Sequence, residues 1–154
     1  MSIIPERTPV SESELNPEVP YAEEWAWDFD RKDFKTINGR MYKVCGDEAI
    51  KIWLWKLFLT ERFEWLIHSS RYGGEHHTLI GQGYSASYIN ALAEQMTREA
   101  IEMNLGQHIK EIKPIDNQTP LVSFDRGTLY ITFYADTTYN KEVEFSLVYN
   151  TYTR

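Results

Sequence analysis

Apolar and polar positions along the chain follow first a two-residue period, then helical spacing, then the two-residue period again. In residues 24–29, Trp25, Trp27 and Phe29 alternate with Glu24, Ala26 and Asp28, which predicts a half-buried strand. Asn38-Gly39 is a turn signal, and residues 41–44 continue as a second strand, giving a hairpin with a loop longer than the tightest type. Asp47 is placed to cap a helix over residues 48–59. Ile50, Trp53, Leu54, Leu57 and Phe58 form its core-facing stripe, and Ile52, Trp55 and Leu59 form a second one. Little beyond Lys51 and Lys56 is left to face water. A helix apolar nearly all round is buried on both sides, and in so small a chain the second side can belong to another subunit.

After a loop broken by Gly73, Gly74, Gly81 and Gly83, Ser85 or Ser87 starts a second helix that Asn104 or Gly106 ends. Ile89, Leu92, Ala93, Met96, Ala100 and Met103 line one of its faces. Residues 107–115 read as an imperfectly alternating strand stopped by Pro114. Residues 121–124 lead through Asp125-Arg126-Gly127, a hairpin-type turn, into Leu129, Ile131 and Phe133 alternating with Tyr130, Thr132 and Tyr134. Beyond residues 136–141, Val143, Phe145, Leu147 and Tyr149 alternate with Glu142, Glu144, Ser146 and Val148. This is an antiparallel meander with one face on the helices. The expected fold is α+β, one compact domain over residues 23–154, its antiparallel sheet packed against two main helices. Residues 1–22 hold Pro5, Pro9, Pro17 and Pro20 among Ser and Glu and read as an extended or disordered arm. Such an arm is either a loose terminus or a tether that orders against a neighbour.

Composition adds partners to this picture. A chain of 154 residues is most simply one domain with a core of its own, yet it carries five Trp and ten Tyr. One core seldom needs so many, and Trp and Tyr are favoured at interfaces. A net charge of −7 without any Lys/Arg cluster argues against a nucleic-acid partner, which requires a basic face. Residues 52–59 are too short and too interrupted to span a bilayer, and no signal peptide is read at the N-terminus. The lone Cys45, next to a strand, is read as a packed small thiol.

Candidate chemistry is thin. His76-His77, with Glu75 and His68 nearby, lacks the spacing of a zinc helix and reads as a solvent-facing loop pair; His108 stands alone. Glu61, Glu64 and Glu75 could supply two carboxylates for glycoside hydrolysis, with Trp65 as an apolar wall. Beside Arg62, the first two read better as members of a salt-bridge or helix-end network. No phosphate loop and no nucleophile elbow occurs. No catalytic residue, metal or cofactor is therefore expected. The last sheet offers something else: an edge strand carries unpaired N–H and C=O groups that another chain can use. Glu142, Glu144 and Lys141 could equally protect that edge.

The strand-like residues 25–29, the helix start Gly46-x-Glu48-Ala49-Ile50, then Thr60-x-Arg62, Tyr72-Gly73, and Glu94, Ile101 and Asn104 on the second helix occur in a particular order. Over residues 22–150 that order resembles the baseplate wedge or sheath-initiator family of contractile phage tails, once called lysozyme-like, and most of all its branch in prophages of Gram-positive bacteria. In the better-known branch the arginine lies in a Gly-Glu-Arg type motif, whereas here it lies in Thr60-Glu61-Arg62. The resemblance thus implies a structural role for Thr60, Arg62, Tyr72 and Gly73 rather than a given contact.

It further implies a structural domain, six per particle, that joins baseplate wedge proteins to the first ring of tail sheath protein and seeds the sheath by accepting strands. Tail tube or hub proteins are further implied neighbours; nucleic acid and membrane are not. The expected contact residues are Trp55 on the two-sided helix and Tyr130, Thr132, Tyr134, Glu142, Glu144, Ser146 and Val148 on the sheet. The implied location is the baseplate of a virion or tail-like particle, phage or bacteriocin, assembled in the host bacterial cytoplasm. The rival readings are a peptidoglycan-cleaving enzyme and an adaptor that binds a regulatory protein through the same fold.

Overall fold

The structure is a computed structural model in which residues 20–79 and 82–150 are described. Most of the expected arm, residues 1–19, lies outside the described residues. Its last residues already belong to the body. Ala22 is fully buried, its carbonyl accepts from the Gly46 amide at 2.9 Å, and its amide donates to the Tyr139 hydroxyl at 2.8 Å.

The first elements form a long, stepped β-ribbon. β1 (Glu23–Trp25) pairs antiparallel with β6 (Lys43–Cys45), β2 (Trp27–Asp28) with β3 (Asp33–Phe34), and β4 (Thr36–Ile37) with β5 (Arg40–Met41). The tip is the two-residue turn Asn38-Gly39, with φ of 51° and 76°; the primed turn that matches strand twist requires positive φ at both positions. The expected hairpin is present, but its burial phase is reversed. Ala22 and Ala26 are inside, Trp27 is half-buried, and Trp25 and Phe29 are exposed. The strand breaks after Trp25, and Ala26 donates to the Tyr42 carbonyl while accepting from Lys35, so the two-residue alternation does not run on unbroken through the ribbon. Cys45 is exposed on β6 instead of packed, because it stands on the outward side of that strand pair.

Helix α1 (Asp47–Leu59) starts from Gly46, whose φ of 69° turns the chain from strand into helix. Asp47 is not the cap. It is the first helical residue, and its carboxylate accepts from the Thr137 hydroxyl and the Asn140 amide, pinning the helix start to a distant turn. Ile50, Leu54, Leu57 and Phe58 are buried, and so is Ile52 of the second stripe. That second stripe is covered in good part by the chain's own ribbon: the Trp55 ring lies 5.2 Å from Trp27 and 5.8 Å from Phe29. Glu24 strengthens this join, accepting from Trp53 Nε1 at 3.1 Å and Lys56 Nζ at 2.8 Å.

Helix α2 (Ala86–Leu105) is capped by Ser85, whose hydroxyl accepts from the Tyr88 amide, and Gly106 ends it. Its buried stripe drifts around the helix to Thr97, Ile101 and Leu105, which leaves Met103 exposed. No helix among the described residues is long and apolar enough to cross a membrane.

The main sheet contains β7 (Ile109–Lys113), β8 (Val122–Asp125), β9 (Thr128–Thr137) and β10 (Val143–Asn150), all antiparallel. β9 is central. β10 pairs along one side of it, from Val143 opposite Ala135 to Asn150 opposite Thr128. β8 and β7 share the other side, and Arg126-Gly127, with φ of 48° and 79°, joins β8 to β9. Leu129, Ile131, Phe133, Ala135 and Phe145 face inward, with α1 behind β10 and α2 behind β7 and β8. The result is the expected α+β fold.

Candidate interaction site

Where α1 ends, the chain makes a clasp. The Thr60 amide and hydroxyl both donate to the Lys56 carbonyl, closing the helix. The Gly74 amide then donates to the Thr60 carbonyl at 2.9 Å, and the Arg62 amide to the Gly74 carbonyl at 3.0 Å. Gly73 lies between with φ of 103°, a conformation that L side chains rarely adopt. The buried Arg62 side chain reaches the Gly73 carbonyl through Nε, and Glu75 and Glu99 through Nη1, each at 3.4 Å. Tyr72 is half-buried and stacks on His68 with ring centres 4.9 Å apart; burial raises its hydroxyl pKa. Asn104 at the end of α2 donates to the Arg71 carbonyl at 2.9 Å. Thr60, Arg62, Tyr72 and Gly73 thus meet around one loop. That loop, residues 63–71, is exposed throughout and carries Phe63, Trp65, Leu66 and Ile67 outward.

His76 is not in solvent. It begins a single 3₁₀ turn (His76–Leu79) and is 1% exposed, with Nε2 2.9 Å from the Thr97 hydroxyl, which itself donates to the Ala93 carbonyl. The turn tucks the ring under α2, against Phe58. Burial depresses its pKa to about 4. His77 is half-buried, and His108 is buried with its ring against Trp53 at 5.2 Å.

The second feature is the β10 edge. β10 is bonded to β9 on one side, and among the described residues no strand stands on its other side. Beside that edge runs a groove of about 1050 Å³ between α1 and the sheet. Leu54, Trp55, Phe58, Phe133, Phe145 and Leu147 make it largely apolar, while Lys32, Lys51, Glu61, Glu64 and Glu144 stand around it.

The residues selected from the sequence fall on two surfaces. Trp55 lines the groove, and Glu144, Ser146 and Val148 border it at the strand edge while sharing the outer face of the sheet with β9. Tyr130, Thr132 and Tyr134 lie on the outer face of β9, opposite Val148, Ser146 and Glu144 respectively, with the Thr132 and Ser146 hydroxyls 3.5 Å apart. Glu142 precedes β10, with φ of 53° and its amide bonded to Asp136. The apolar groove wall was not read from the sequence; it takes Leu54 and Phe58 from the first stripe of α1 and Trp55 and Leu59 from the second. Of the three candidate catalytic carboxylates, Glu61 and Glu64 line the groove with Trp65, whereas Glu75 is engaged by Arg62.

An antiparallel sheet with helices behind one face, whose β10 edge has no neighbouring strand among the described residues, has backbone groups there that a further strand can use. Residues 23–140 match the family described as contractile injection system sheath initiator, and the chain belongs to that family. The match takes in the ribbon, both helices and β7 to β9, and stops before β10. No curated protein matches the chain. Its role is structural, the initiation of sheath in a contractile injection system.

Proposed function

We propose that the protein is a non-enzymatic baseplate component that links wedge to sheath and starts the sheath by accepting a strand along β10. The observation that carries this reading is the side of β10 over residues 143–148, which has no strand beside it among the described residues and opens onto an apolar groove. A partner strand laid there would bond to the N–H and C=O groups of β10. It would set alternate side chains into the groove against Trp55, Phe58 and Leu147.

Free sheath subunits must lose orientational freedom to form their first ring, and that cost opposes nucleation. A ring of six such domains, the number the family's symmetry implies, would present pre-ordered edges and remove much of it. The outer face of Tyr130, Thr132 and Tyr134 and the exposed loop at residues 63–71 are the surfaces offered to neighbouring sheath and wedge proteins. Assembly would take place in the bacterial cytoplasm, on the baseplate of a phage tail or related particle. Glu75 and Arg62 serve the clasp in this reading, and Glu61 and Glu64 form a rim.

The test is to mix the purified protein with the sheath subunit and tube of its particle, with and without baseplate proteins, and to image the products. Sheath growing from a ring that contains this protein supports the role. Sheath that assembles equally well without it, with no complex to any baseplate protein, overturns it.

A further inference from the structure

The ribbon forks at Ala26. Its amide donates to the Tyr42 carbonyl and its carbonyl accepts from the Lys35 amide, each at 2.9 Å, so three stretches of chain meet there. The stem is β1 with β6, and two short hairpins leave it. The first, β2 with β3, leans on the body: the Trp27 ring lies against Trp55 and Phe34, and Phe29 against Trp55. The second, β4 with β5, is exposed at every residue from 36 to 41.

Cross-strand pairing fixes what each face of this second hairpin presents. Ile37 stands opposite Arg40 and Thr36 opposite Met41, and successive residues of a strand point to opposite sides. One face therefore carries Ile37 with Arg40, the other Met41 with Thr36. Ile37 is 60% exposed and Met41 50%. A two-stranded hairpin has no core in which to bury them, so the fold gains little from either. An apolar side chain on both faces suits a cleft that closes from two sides. The primed turn at Asn38-Gly39 already orders the tip, which lowers the entropy lost on docking.

Charge sets the sign of that cleft. Between Asp33 and Asp47 the chain has Lys35, Arg40 and Lys43 and no acid, although its net charge is −7. Lys43 serves the stem, paired with Glu23 at 2.6 Å. Lys35 and Arg40 form no salt bridge among the described residues. Two such cations beside exposed apolar side chains select carboxylates around an apolar floor. They are too few to bind nucleic acid, which the acidic remainder of the chain repels.

We propose that residues 36–41 are a plug that enters an acidic cleft with an apolar floor on another protein of the injection particle. This contact is separate from the β10 edge and does not depend on it.

Photo-cross-linking of the full chain tests the plug. p-Benzoylphenylalanine is placed at Ile37 or at Met41, one on each face, and each protein is irradiated with the purified sheath, tube and baseplate proteins of its particle. Both labels should join the same protein, other than this chain, at segments containing Asp or Glu. Against that protein, the double change Lys35→Glu, Arg40→Glu should weaken binding about tenfold or more at low salt and less at high salt. Ile37→Ser should weaken it at both. None of these variants removes a packed group, so all should unfold at the wild-type urea concentration. Labels that join only a second copy, nucleic acid, a segment without carboxylates or nothing overturn the plug, as does unchanged affinity after the charge reversal. The readout is a cross-link instead of sheath growth, so failure of the plug and failure of the initiator role are told apart.

Discussion

Gly73 lies so close to Thr60 that a Cβ built on it would sit 2.6 Å from the Thr60 carbonyl oxygen, with the Arg62 amide nitrogen at 2.9 Å. Both neighbours are backbone of the clasp, so neither can rotate away. The φ of 103° at Gly73 adds strain for any side chain. Gly73→Ala is expected to destabilise the fold by about 2–3 kcal/mol, measured by urea unfolding. Gly39→Ala makes the control, because its φ is also positive but no atom lies within 4 Å of the added methyl. It should cost less, by the amount of the clash.

Arg62 holds the same clasp by its side chain. Its partners Glu75 and Glu99 are partly exposed and can turn to water when the guanidinium is removed, which limits the loss. Arg62→Ala should destabilise by about 1–2 kcal/mol. Arg62→Lys keeps the charge but cannot reach the Gly73 carbonyl and the two carboxylates together, so it should recover less than half of that loss. Urea unfolding of the three proteins at low and high salt separates the ionic part from the carbonyl contact.

His76 gives the fold a pH dependence. Between pH 6.5 and about 4 the unfolded chain carries a proton on this imidazole that the buried ring does not accept. Stability from this residue is therefore complete above pH 6.5, falls as the pH drops, and levels off below about 4. The full loss is on the order of 3 kcal/mol. His76→Gln can still bond Thr97 but does not titrate in this range, so its unfolding free energy should fall less steeply across the window. Equal slopes for the two proteins would show that carboxylate protonation alone accounts for the acid loss.

How much of this was legible depends on how far away each partner lies. The strands β8 to β10 and their Arg126-Gly127 turn and the Asn38-Gly39 tip are set by neighbours within a few residues, and local pattern was enough to find them, while it narrowed the helix cap to Ser85 or Ser87, of which Ser85 is the cap. The placement of His76 depends on Thr97 in α2, and that of Asp47 on Thr137 and Asn140, so no local signal announced either one. The ribbon deceived for another reason. Two-residue alternation tells that a strand has two faces but not which one turns inward, and here Ala22 and Ala26 are buried while Trp25 and Phe29 stay exposed. The open edge was legible as a possibility; that it belongs to β10, with a groove behind it, follows from a pairing order that no alternation encodes.

The two faces of the β9–β10 pair can be told apart by charge. Phe145 is buried, with its ring 5.5 Å from Phe133, and Leu147 packs on the same core, so Phe145→Asp and Leu147→Asp place an unpaired carboxylate among apolar side chains. Neither variant is expected to fold, as judged by loss of near-UV circular dichroism and of a cooperative unfolding transition. Tyr130 is 45% exposed on the opposite face, and Val148 beside it is 64% exposed. Tyr130→Asp should therefore keep its unfolding free energy within about 0.5 kcal/mol of the wild type. Tyr134→Asp, at a half-buried position, should fold with a larger loss. If the outer face meets the sheath, both tyrosine variants will fold and yet lengthen the lag of sheath assembly. Normal lags from both would exclude that face as a contact and leave the β10 edge and the exposed loop at residues 63–71 as the surfaces still to be tested.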